Sequence, residues 1–298
     1  MKHTERSGLM QVPTCNLAAV RALDLSGLAR AAGLANAQLH IRSLDPGGPG
    51  WQADDGREIY PASLIKVPLA VAACVAIDRG RLAWNDAVTV DERNATFNDA
   101  PSPMTPGYRT TVGELVTFML QRSDNVATNQ LYDLLDRERA TADVRALGLA
   151  GTTFRRKLSG RLPLIDDPQA TGRNAFPAGE AADLFVAIAR DEVPQAAELR
   201  RILATSWWDV KLSRGLEPGD TFVHKTGDTD EGSHDAGLLT LVGATRWVVV
   251  VYSELPSSDD NDARFGAFMR ALRPYLAASE GAIREPANAA SNPITPTE

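Results

Sequence analysis

The pattern of hydrophobic and polar positions predicts an early strand and three late strands on either side of a mostly helical middle. Residues 17–33 carry apolar side chains at helical intervals, which predicts a helix that ends near Gly33. Leu39 and Ile41 alternate with polar neighbours, so we expect a half-buried strand there. Residues 45–48, which follow it, are typical of a turn.

The middle of the chain has the periodicity of helices. Residues 63–80 are densely apolar, and Pro68 lies near their start, where a missing amide hydrogen costs least. Apolar positions recur on one face of residues 111–121, and Thr111 with Glu114 forms a candidate capping box. Two more helices are predicted, at residues 125–135 and 177–190. Between them, residues 151–176 are expected to form a long loop, and such loops are usually functional or disordered.

Short β-branched segments dominate the last third of the chain. They predict adjacent antiparallel strands, followed by one helix, at residues 221–225, 237–242, 247–253 and 263–278. The expected fold class is therefore α/β (α+β): one antiparallel sheet from both chain ends, flanked by helices, with an inserted all-α lobe.

This organisation also gives expected boundaries. The domain covers residues 16–278, with an α/β lobe of residues 16–60 and 210–278 and a helical lobe of residues 61–209. Flexible tails are expected at residues 1–15 and 279–298. A binding site between the two lobes is the default expectation.

Composition and charge narrow the classes of function. The 298 residues include 38 acidic and 31 basic side chains, a formal charge of −7, which gives no support for binding nucleic acid or an anionic membrane. Two cysteines, Cys15 and Cys74, cannot make a disulfide framework, and four scattered histidines argue against a zinc site. We therefore expect no metal, no cofactor and no partner beyond a small-molecule substrate, and a monomeric protein.

Targeting signals are not evident in the sequence. Residues 1–35 contain only short apolar runs, and no stretch of about 18 apolar residues occurs. The chain as given is expected to be cytoplasmic, or periplasmic or secreted if it is a mature form.

Ser63 and Lys66 open the first long helix of the middle segment. Three positions apart on a helix, they share a face, so the amine can reach the hydroxyl. If burial lowers the lysine pKa, the pair becomes an activated nucleophile. Taken alone, an exposed serine and a solvated lysine are the commoner interpretation.

Ser123-Asp124-Asn125 lies between two predicted helices. A serine there can relay a proton, and an asparagine can hold a substrate amide. The alternative is an ordinary helix cap, since Ser, Asp and Asn are the preferred capping residues.

Lys225-Thr226-Gly227 ends a predicted strand. The cation and hydroxyl can bind a carboxylate, and the glycine can let a ligand backbone approach closely. The alternative is a turn that ends the strand.

Together the three motifs, in this order and spacing, resemble the class A β-lactamases within the penicillin-recognising serine hydrolases, which carry S-x-x-K, S-D-N and K-T-G. Thr111-Val112-Gly113-Glu114-Leu115 resembles that family's T-V-x-E-L helix. Residues 123–129 likewise resemble S-D-N-x-A-x-N. The resemblance covers residues 17–278.

The resemblance implies roles for the motif residues. Ser63 would attack the lactam carbonyl and become acylated, and Lys66 matches the general base, a role that is debated within the family. Ser123 would pass a proton to the leaving nitrogen, working with Lys66 and Lys225. Asn125 would hold the substrate's side-chain amide.

The third motif is implied to bind the substrate. Lys225 and Thr226 would bind its carboxylate beside Gly227. The backbone amides of Ser63 and Thr229 would form the oxyanion hole.

Two departures from the family pattern affect these roles. Asp228 stands where a small residue is common, and its carboxylate could disfavour an anionic substrate. The loop also lacks the family's water-activating glutamate, since none occurs between Glu138 and Glu180. Asp166 and Asp167 are the nearby acids that could replace it, with shorter side chains. We therefore expect acylation with slow or altered release.

Three functions remain open at this stage. The first is a serine hydrolase that opens a β-lactam or a related amide. The second is an esterase or D-amino-acid peptidase on the same scaffold. The third is a penicillin-binding sensor that is acylated once without turnover.

Overall fold

A five-stranded antiparallel sheet lies at the centre of the structure, a computed structural model that describes residues 23–243 and 245–284. Its strands in chain order are β1 (Gln38–Ser43), β2 (Gly50–Ala53), β5 (Thr221–Asp228), β6 (Ser233–Thr240) and β7 (Arg246–Ser253). A separate pair joins β3 (Ala87–Thr89) to β4 (Arg109–Thr111). The spatial order β2-β1-β7-β6-β5 places the last strand of the chain beside the first, which confirms one sheet from both chain ends.

Helices cover the sheet and fill the middle of the chain. They are α1 (Leu25–Ala31), α2 (Lys66–Asp78), α3 (Val112–Gln121), α4 (Asn125–Leu135), α5 (Arg137–Arg145), α6 (Ala178–Ala189), α7 (Ala196–Leu203) and α8 (Asp259–Arg284). Short 3₁₀ turns occur at Ala62–Ile65, Glu92–Asn94 and Leu212–Gly215. No helix in the described part of the chain combines the length and apolar character of a membrane span.

Strand β7 separates two hydrophobic cores. Alternate side chains of β7 point to opposite faces, so Trp247, Val249 and Val251 pack with α1 and α8. Val248, Val250 and Tyr252 join the larger core, which contains the middle helices. This strand is apolar without alternation because both of its faces are covered.

The half-buried character predicted for β1 is wrong. Gln38 and His40, on the face expected to meet solvent, are 3% and 4% exposed, because α6 packs against β1 and β7. Their polar groups are paired instead with the segment after β2: Nε2 of Gln38 donates to the Arg57 carbonyl at 2.8 Å, and Nε2 of His40 lies 2.7 Å from Asp54 Oδ2. The polar residues that alternate with Leu39 and Ile41 in β1 therefore occupy buried, hydrogen-bonded positions.

Most of the predicted helices are confirmed, with shifts at their ends. The helix at residues 125–135 is confirmed at both ends, and α6 is one residue shorter at each end than predicted. Helix α8 continues to Arg284, so the tail expected from residue 279 is helical for its first residues. Residues 1–22 and 285–298, which hold the expected amino-terminal tail and most of the other, lie outside the described residues.

Candidate active site

The nucleophile candidate Ser63 lies in the 3₁₀ turn Ala62–Ile65, directly before α2. Because a 3₁₀ helix has three residues per turn, Ser63 and Lys66 lie on the same side. Ala62 has a φ of +49°, a conformation that residues with side chains rarely adopt. Backbone strain of this kind clusters at functional sites, and here it lies next to the predicted nucleophile.

Lys66 is fully buried and reaches toward the second motif. Its Nζ donates to the Ser123 carbonyl at 2.6 Å, to Ser123 Oγ at 3.1 Å and to Asn125 Oδ1 at 2.8 Å. Within the described chain no hydrogen bond joins Nζ to the Ser63 hydroxyl. Burial, and then the charge of Lys225, lowers the pKa of Lys66 well below its usual value. The lowered pKa makes the neutral amine, the form that can accept a proton, easier to reach than it is for a solvated lysine.

Ser123 lies between the two motif lysines. Its Oγ accepts from Lys66, and from Lys225 Nζ at 3.0 Å. Its φ of +59° is again one that non-glycine residues rarely adopt. The second motif also contains a helix cap, but the capping residue is Asp124 and not Ser123. Asp124 Oδ1 accepts from the Ala127 amide at 2.8 Å at the start of α4.

Asn125 is held by contacts on three sides. Its Oδ1 accepts from Lys66, its Nδ2 donates to the Phe97 carbonyl at 2.9 Å, and its backbone N–H donates to Asn98 Oδ1 at 2.6 Å. The side-chain amide has two donors, so one remains for a ligand.

Lys225 is on β5, at the edge of the sheet, and is fully buried. Its Nζ donates to Ser123 Oγ and to the Thr226 carbonyl, the latter at 2.8 Å. Burial lowers the pKa of Lys225 to about 7. The cation expected for carboxylate binding is therefore close to its titration point at neutral pH.

Gly227 allows β5 to approach the Ser63 turn. A Cβ atom at this position would come within 3.0 Å of the Pro61 carbonyl oxygen and 3.2 Å of the Leu64 amide nitrogen. The backbone of the Ser63 turn therefore leaves no room for a side chain at position 227. The third motif joins the strand to the first motif as well as forming a binding surface.

The oxyanion-hole prediction for Thr229 is wrong. Its N–H donates to the Gly232 carbonyl at 2.9 Å, and its hydroxyl accepts from the Glu231 and Gly232 amides, so both groups are used in the β5–β6 turn. Hydrogen-bonded pairs alternate along antiparallel strands. Since Thr229 pairs in this way with Gly232, the amide of Asp228 points away from β6, toward the free edge of the sheet.

The carboxylate of Asp228 is neutralised by Lys211, a residue that the sequence did not single out. Lys211 is fully buried, and its Nζ lies 2.6 and 2.7 Å from the two oxygens of Asp228. Burial alone would raise the pKa of Asp228, but Lys211 together with hydrogen bonds from Ser257 and Ser233 outweighs burial and lowers that pKa. The repulsion of an anionic substrate expected from Asp228 is therefore offset by a paired cation.

Neither loop aspartate contacts the lysines of the site within the described residues. Asp167 accepts from Arg137 at 2.7 and 2.8 Å and from the Lys157 amide at 2.7 Å. The side chains of Asp167 and Arg137 are 2% and 8% exposed. Asp167 therefore anchors the loop, and its pairing with Arg137 argues against the predicted role as the water-activating base. Asp166 is exposed, and its role stays a prediction.

The loop segment nearest α4 carries a leucine. Asn129 holds the backbone of Leu158 on both sides: Nδ2 donates to the Leu158 carbonyl at 2.9 Å, and Oδ1 accepts its N–H at 2.7 Å. The side chain of Leu158 belongs to the larger core. The part of the loop that α4 fixes in place therefore brings an apolar group and no carboxylate.

Two buried histidines support the edge of the sheet on which Lys225 lies. His224 Nδ1 lies 2.7 Å from Asp235 Oδ1, and its Nε2 lies 3.0 Å from Asp209 Oδ1. His234 Nε2 donates to the Tyr60 carbonyl at 2.8 Å, and its Nδ1 accepts from the Ser253 amide. His234 thereby fixes the backbone that leads into the Ser63 turn.

The arrangement can perform nucleophilic acyl transfer. It combines a serine hydroxyl on a strained turn, a buried amine of low pKa, a second hydroxyl between two lysines and a cation at the sheet edge. Among the described residues, no group of three or more His, Cys, Asp or Glu side chains could hold a metal ion.

Comparisons with known proteins agree on one group. A family model described as the beta-lactamase enzyme family matches residues 21–272. A structure of a PBP-A mutant, an acyl-enzyme complex with penicillin G, is 24% identical, with a TM-score of 0.71 over 91% of this chain and 100% of that chain.

Two further solved structures have a similar fold. A beta-lactamase from Sphaerobacter thermophilus is 24% identical, with a TM-score of 0.71 over 84% of this chain and 96% of that chain. A beta-lactamase from Chitinophaga pinensis is 18% identical, with a TM-score of 0.72 over 87% and 99%. No curated protein sequence matches the chain.

Proposed function

The chain belongs to the beta-lactamase enzyme family, and from that premise we propose that it is a serine hydrolase that opens a β-lactam or a related amide through an acyl-enzyme on Ser63. The observation that carries this proposal is the convergence of Lys66 and Lys225 on Ser123 Oγ, at 3.1 and 3.0 Å. Two buried lysines around one hydroxyl form a route along which a proton can move. A helix cap alone needs no such route.

In the proposed acylation, Ser63 Oγ bonds to the lactam carbonyl carbon while its proton passes to the Lys66 amine. The oxyanion lies at the amide of Ser63 and, in place of Thr229, at the outward amide of Asp228. The carbon–nitrogen bond then breaks, and Ser123 donates its proton to the leaving nitrogen while recovering one from Lys66. Each proton is conserved, so no cofactor is required.

The substrate is proposed to lie between Lys225 and Asn125. The Lys225 ammonium and the Thr226 hydroxyl bind its carboxylate, and the free amide hydrogen of Asn125 binds its acyl amide. The Asp228–Lys211 pair leaves that end of the site without a net negative charge from Asp228. An anionic substrate is therefore not repelled by Asp228.

We propose that release of the acyl group is slow. Leu158 occupies the loop segment fixed by Asn129, and Asp167 is held by Arg137. Leu158 has no carboxylate, and that of Asp167 is paired with Arg137, so neither anchored residue is free to activate water. The acyl-enzyme should therefore persist.

Intact-mass measurement with benzylpenicillin tests this function. A persistent adduct of one penicillin is expected on the wild-type chain and is lost in Ser63→Ala, whereas Ser26→Ala, an exposed serine of α1, keeps it. Rapid turnover without an adduct would contradict slow release. An adduct that survives Ser63→Ala would show that the nucleophile is another residue.

A second candidate is an esterase or D-amino-acid peptidase on the same site. The leucine at position 158 favours it, because the acyl-enzyme formed from an ester substrate with a small acyl group needs less help from a base than a penicilloyl-enzyme does. Steady-state rates on a chromogenic cephalosporin and on p-nitrophenyl esters separate the two. A sensor that is acylated once would turn over neither substrate and would carry one penicillin adduct per chain.

A further inference from the structure

A fully buried lysine lies behind the end of β5 at which the candidate site is formed. Lys211 directly precedes the 3₁₀ turn Leu212–Gly215, and none of its side chain is exposed. Its Nζ lies 2.6 and 2.7 Å from the two carboxylate oxygens of Asp228. It also donates to the carbonyl of His234 at 3.2 Å and to that of Gly227 at 3.4 Å. The hydrogen bonds that offset the cost of burying this ammonium are therefore made to the β5–β6 end of the sheet.

Lys211 approaches β5 from the face of the sheet that α8 covers. Its Nζ lies 5.7 Å from the centre of the Phe265 ring, which belongs to the core between the sheet and α8. Another carboxylate on α8, that of Asp262, has its Oδ1 3.9 Å from Nζ, too far for a hydrogen bond. Because Lys211 is enclosed on this face, it can affect a substrate only through the residues that it holds.

The backbone of Asp228, which faces Ser233 across the β5–β6 pair, has no partner strand at this residue. Antiparallel strands exchange no backbone hydrogen bonds here, because the bonded pair is the next one, Thr229 with Gly232. The other side of β5 is the free edge of the described sheet. The side chain of Asp228 also accepts from Ser233 Oγ, at 3.1 Å. The pair with Lys211 is therefore the shortest hydrogen-bonded contact that holds residue 228.

The segment that carries Lys211 is itself fixed to its surroundings. The Leu212 amide donates to Oδ2 of Asp235 at 3.0 Å, and Asp235 is fully buried on β6. Gly215, at the end of the 3₁₀ turn, packs closely on α8, since a Cβ there would lie 2.4 Å from the Gly266 carbonyl oxygen. The ammonium thus extends from a fixed support to the last residue of β5.

We infer that Lys211 is a positioning residue: through its ion pair with Asp228 it holds the outward backbone amide of Asp228 where the oxyanion forms. The inference rests on the proposed function, in which that amide and the amide of Ser63 stabilise the oxyanion. A donor stabilises an oxyanion best when it is held in place before the reaction, because no reorganisation is then needed. Lys211 should therefore affect the rate of acylation more than the binding of substrate.

Removal of both charges separates positioning from neutralisation. In Lys211→Met alone, slow acylation by benzylpenicillin would be explained equally by repulsion from the unpaired Asp228. The double variant Lys211→Met/Asp228→Ala carries neither charge, and apolar replacement of a buried ion pair often leaves stability unchanged. We expect it to form the Ser63 adduct about thirtyfold more slowly than wild type, less than the roughly 10²–10³-fold effect of losing an oxyanion donor. A wild-type rate in the double variant would show that Lys211 only neutralises Asp228, and would overturn the inference.

Two further measurements report on the amide itself. With benzylpenicillin isotopically labelled at its lactam carbonyl, infrared spectroscopy should find the ester carbonyl of the acyl-enzyme at higher frequency in the double variant, because the hydrogen bond from the Asp228 amide is weaker. NMR relaxation of that amide should give an order parameter of about 0.85 in the wild type and below about 0.6 in the double variant. The NMR measurement needs no substrate.

Arg273→Met is the matched control. It removes a cation from the carboxylate of Asp220, which directly precedes the other end of β5, and it should change neither the adduct rate, the carbonyl frequency nor the order of the Asp228 amide. An amide that stays ordered in the double variant, or a carbonyl band that does not move, would overturn positioning by Lys211. A wild-type chain that forms no adduct would overturn the proposed function, while loss of amide order in the double variant would still support the positioning.

Discussion

Lys66 and Ser123 are joined twice, since Nζ of Lys66 donates to both the carbonyl and the hydroxyl oxygen of the same serine, at 2.6 and 3.1 Å. The carbonyl contact holds Ser123 at its φ of +59°, and that conformation presents the hydroxyl to Lys225. The strained backbone and the proton route are therefore parts of one arrangement.

A pair of substitutions at Ser123 separates these two roles. Ser123→Ala and Ser123→Gly both remove the hydroxyl, so each should lower the rate of adduct formation about a hundredfold. Glycine adopts positive φ without strain, so the glycine variant should be more stable than the alanine variant by up to about 1 kcal/mol. Adduct kinetics and thermal unfolding measure the two effects, and equal stabilities would contradict the strain at this position.

Binding of an anionic substrate should weaken as pH rises through about 7. Burial lowers the pKa of Lys225 to about 7, so its ammonium is present below that pH and lost above it. The dissociation constant of benzylpenicillin on Ser63→Ala, measured from pH 5.5 to 8.5, should increase across this window. A neutral p-nitrophenyl ester serves as the control ligand and should bind with no such change.

Asp99 should make a small contribution to the position of that midpoint, after burial, Asp228, Lys211 and Asp235. It is exposed on the segment beside Asn125, and its charge opposes the lowering of the pKa of Lys225. Asp99→Asn should therefore move the midpoint of penicillin binding to lower pH. Glu192→Gln, an exposed acid after α6, should leave it in place; a midpoint unchanged in both variants would show that Asp99 does not act on Lys225.

Asp167→Asn should destabilise the fold without removing adduct formation. The change leaves the buried Arg137 without its carboxylate partner, which typically costs about 3–5 kcal/mol. The exposed neighbour provides the matched variant, since Asp166→Asn should change stability by less than about 0.5 kcal/mol. Urea unfolding measures both; an Asp167→Asn variant of full stability that accumulates more adduct would restore Asp167 as the base.

His224 should stabilise the fold in acid and neutral solution but not in alkali. Burial would lower its pKa, but Asp235 and Asp209 outweigh burial and raise it to about 9. Since the folded pKa lies above the unfolded value of about 6.5, this stabilisation is complete below pH 6.5 and disappears as pH rises through 9. The unfolding free-energy difference between wild type and His224→Gln should thus fall by about 3 kcal/mol from pH 6 to 10, and a constant difference would contradict the charged pairing.

Most of the fold could be predicted from the sequence, because hydrophobic periodicity is strong in elements that are buried on one face only. Helix α3 follows its apolar stripe and α4 its cap, Asp124. Helix α5 was missed because its sequence is polar and its contacts are made through residues such as Arg137, whose partner lies thirty positions away. The half-buried prediction for β1 failed because a sequence does not state that α6 will cover the polar face.

The motifs predicted the residues of the candidate site, but not the hydrogen bonds among them. Lys66, Ser123, Asn125 and Lys225 meet in one hydrogen-bonded cluster, and Ser63 lies in the 3₁₀ turn directly before Lys66. The prediction for Thr229 was wrong by one residue. Backbone amides along β5 face β6 and the free edge alternately, so the amide of Thr229 faces β6 and that of Asp228 faces the edge. Lys211 gave no sequence signal, and the sequence places His234 near Lys225 without naming its partner. Both partners, a carboxylate on β5 and a carbonyl at position 60, are set by the tertiary fold.

The strand order β2-β1-β7-β6-β5 also has a consequence for how the protein is made. On a ribosome, β1 emerges long before β7, the strand that pairs with it, because the two are separated by all the middle helices. Until then the nascent chain exposes an unpaired strand edge, and Lys225 has no sheet to hold it beside Ser123. A chain stopped between β5 and β7 would thus carry all three motifs without the complete sheet, and we expect it to stay inert until β7 has been added.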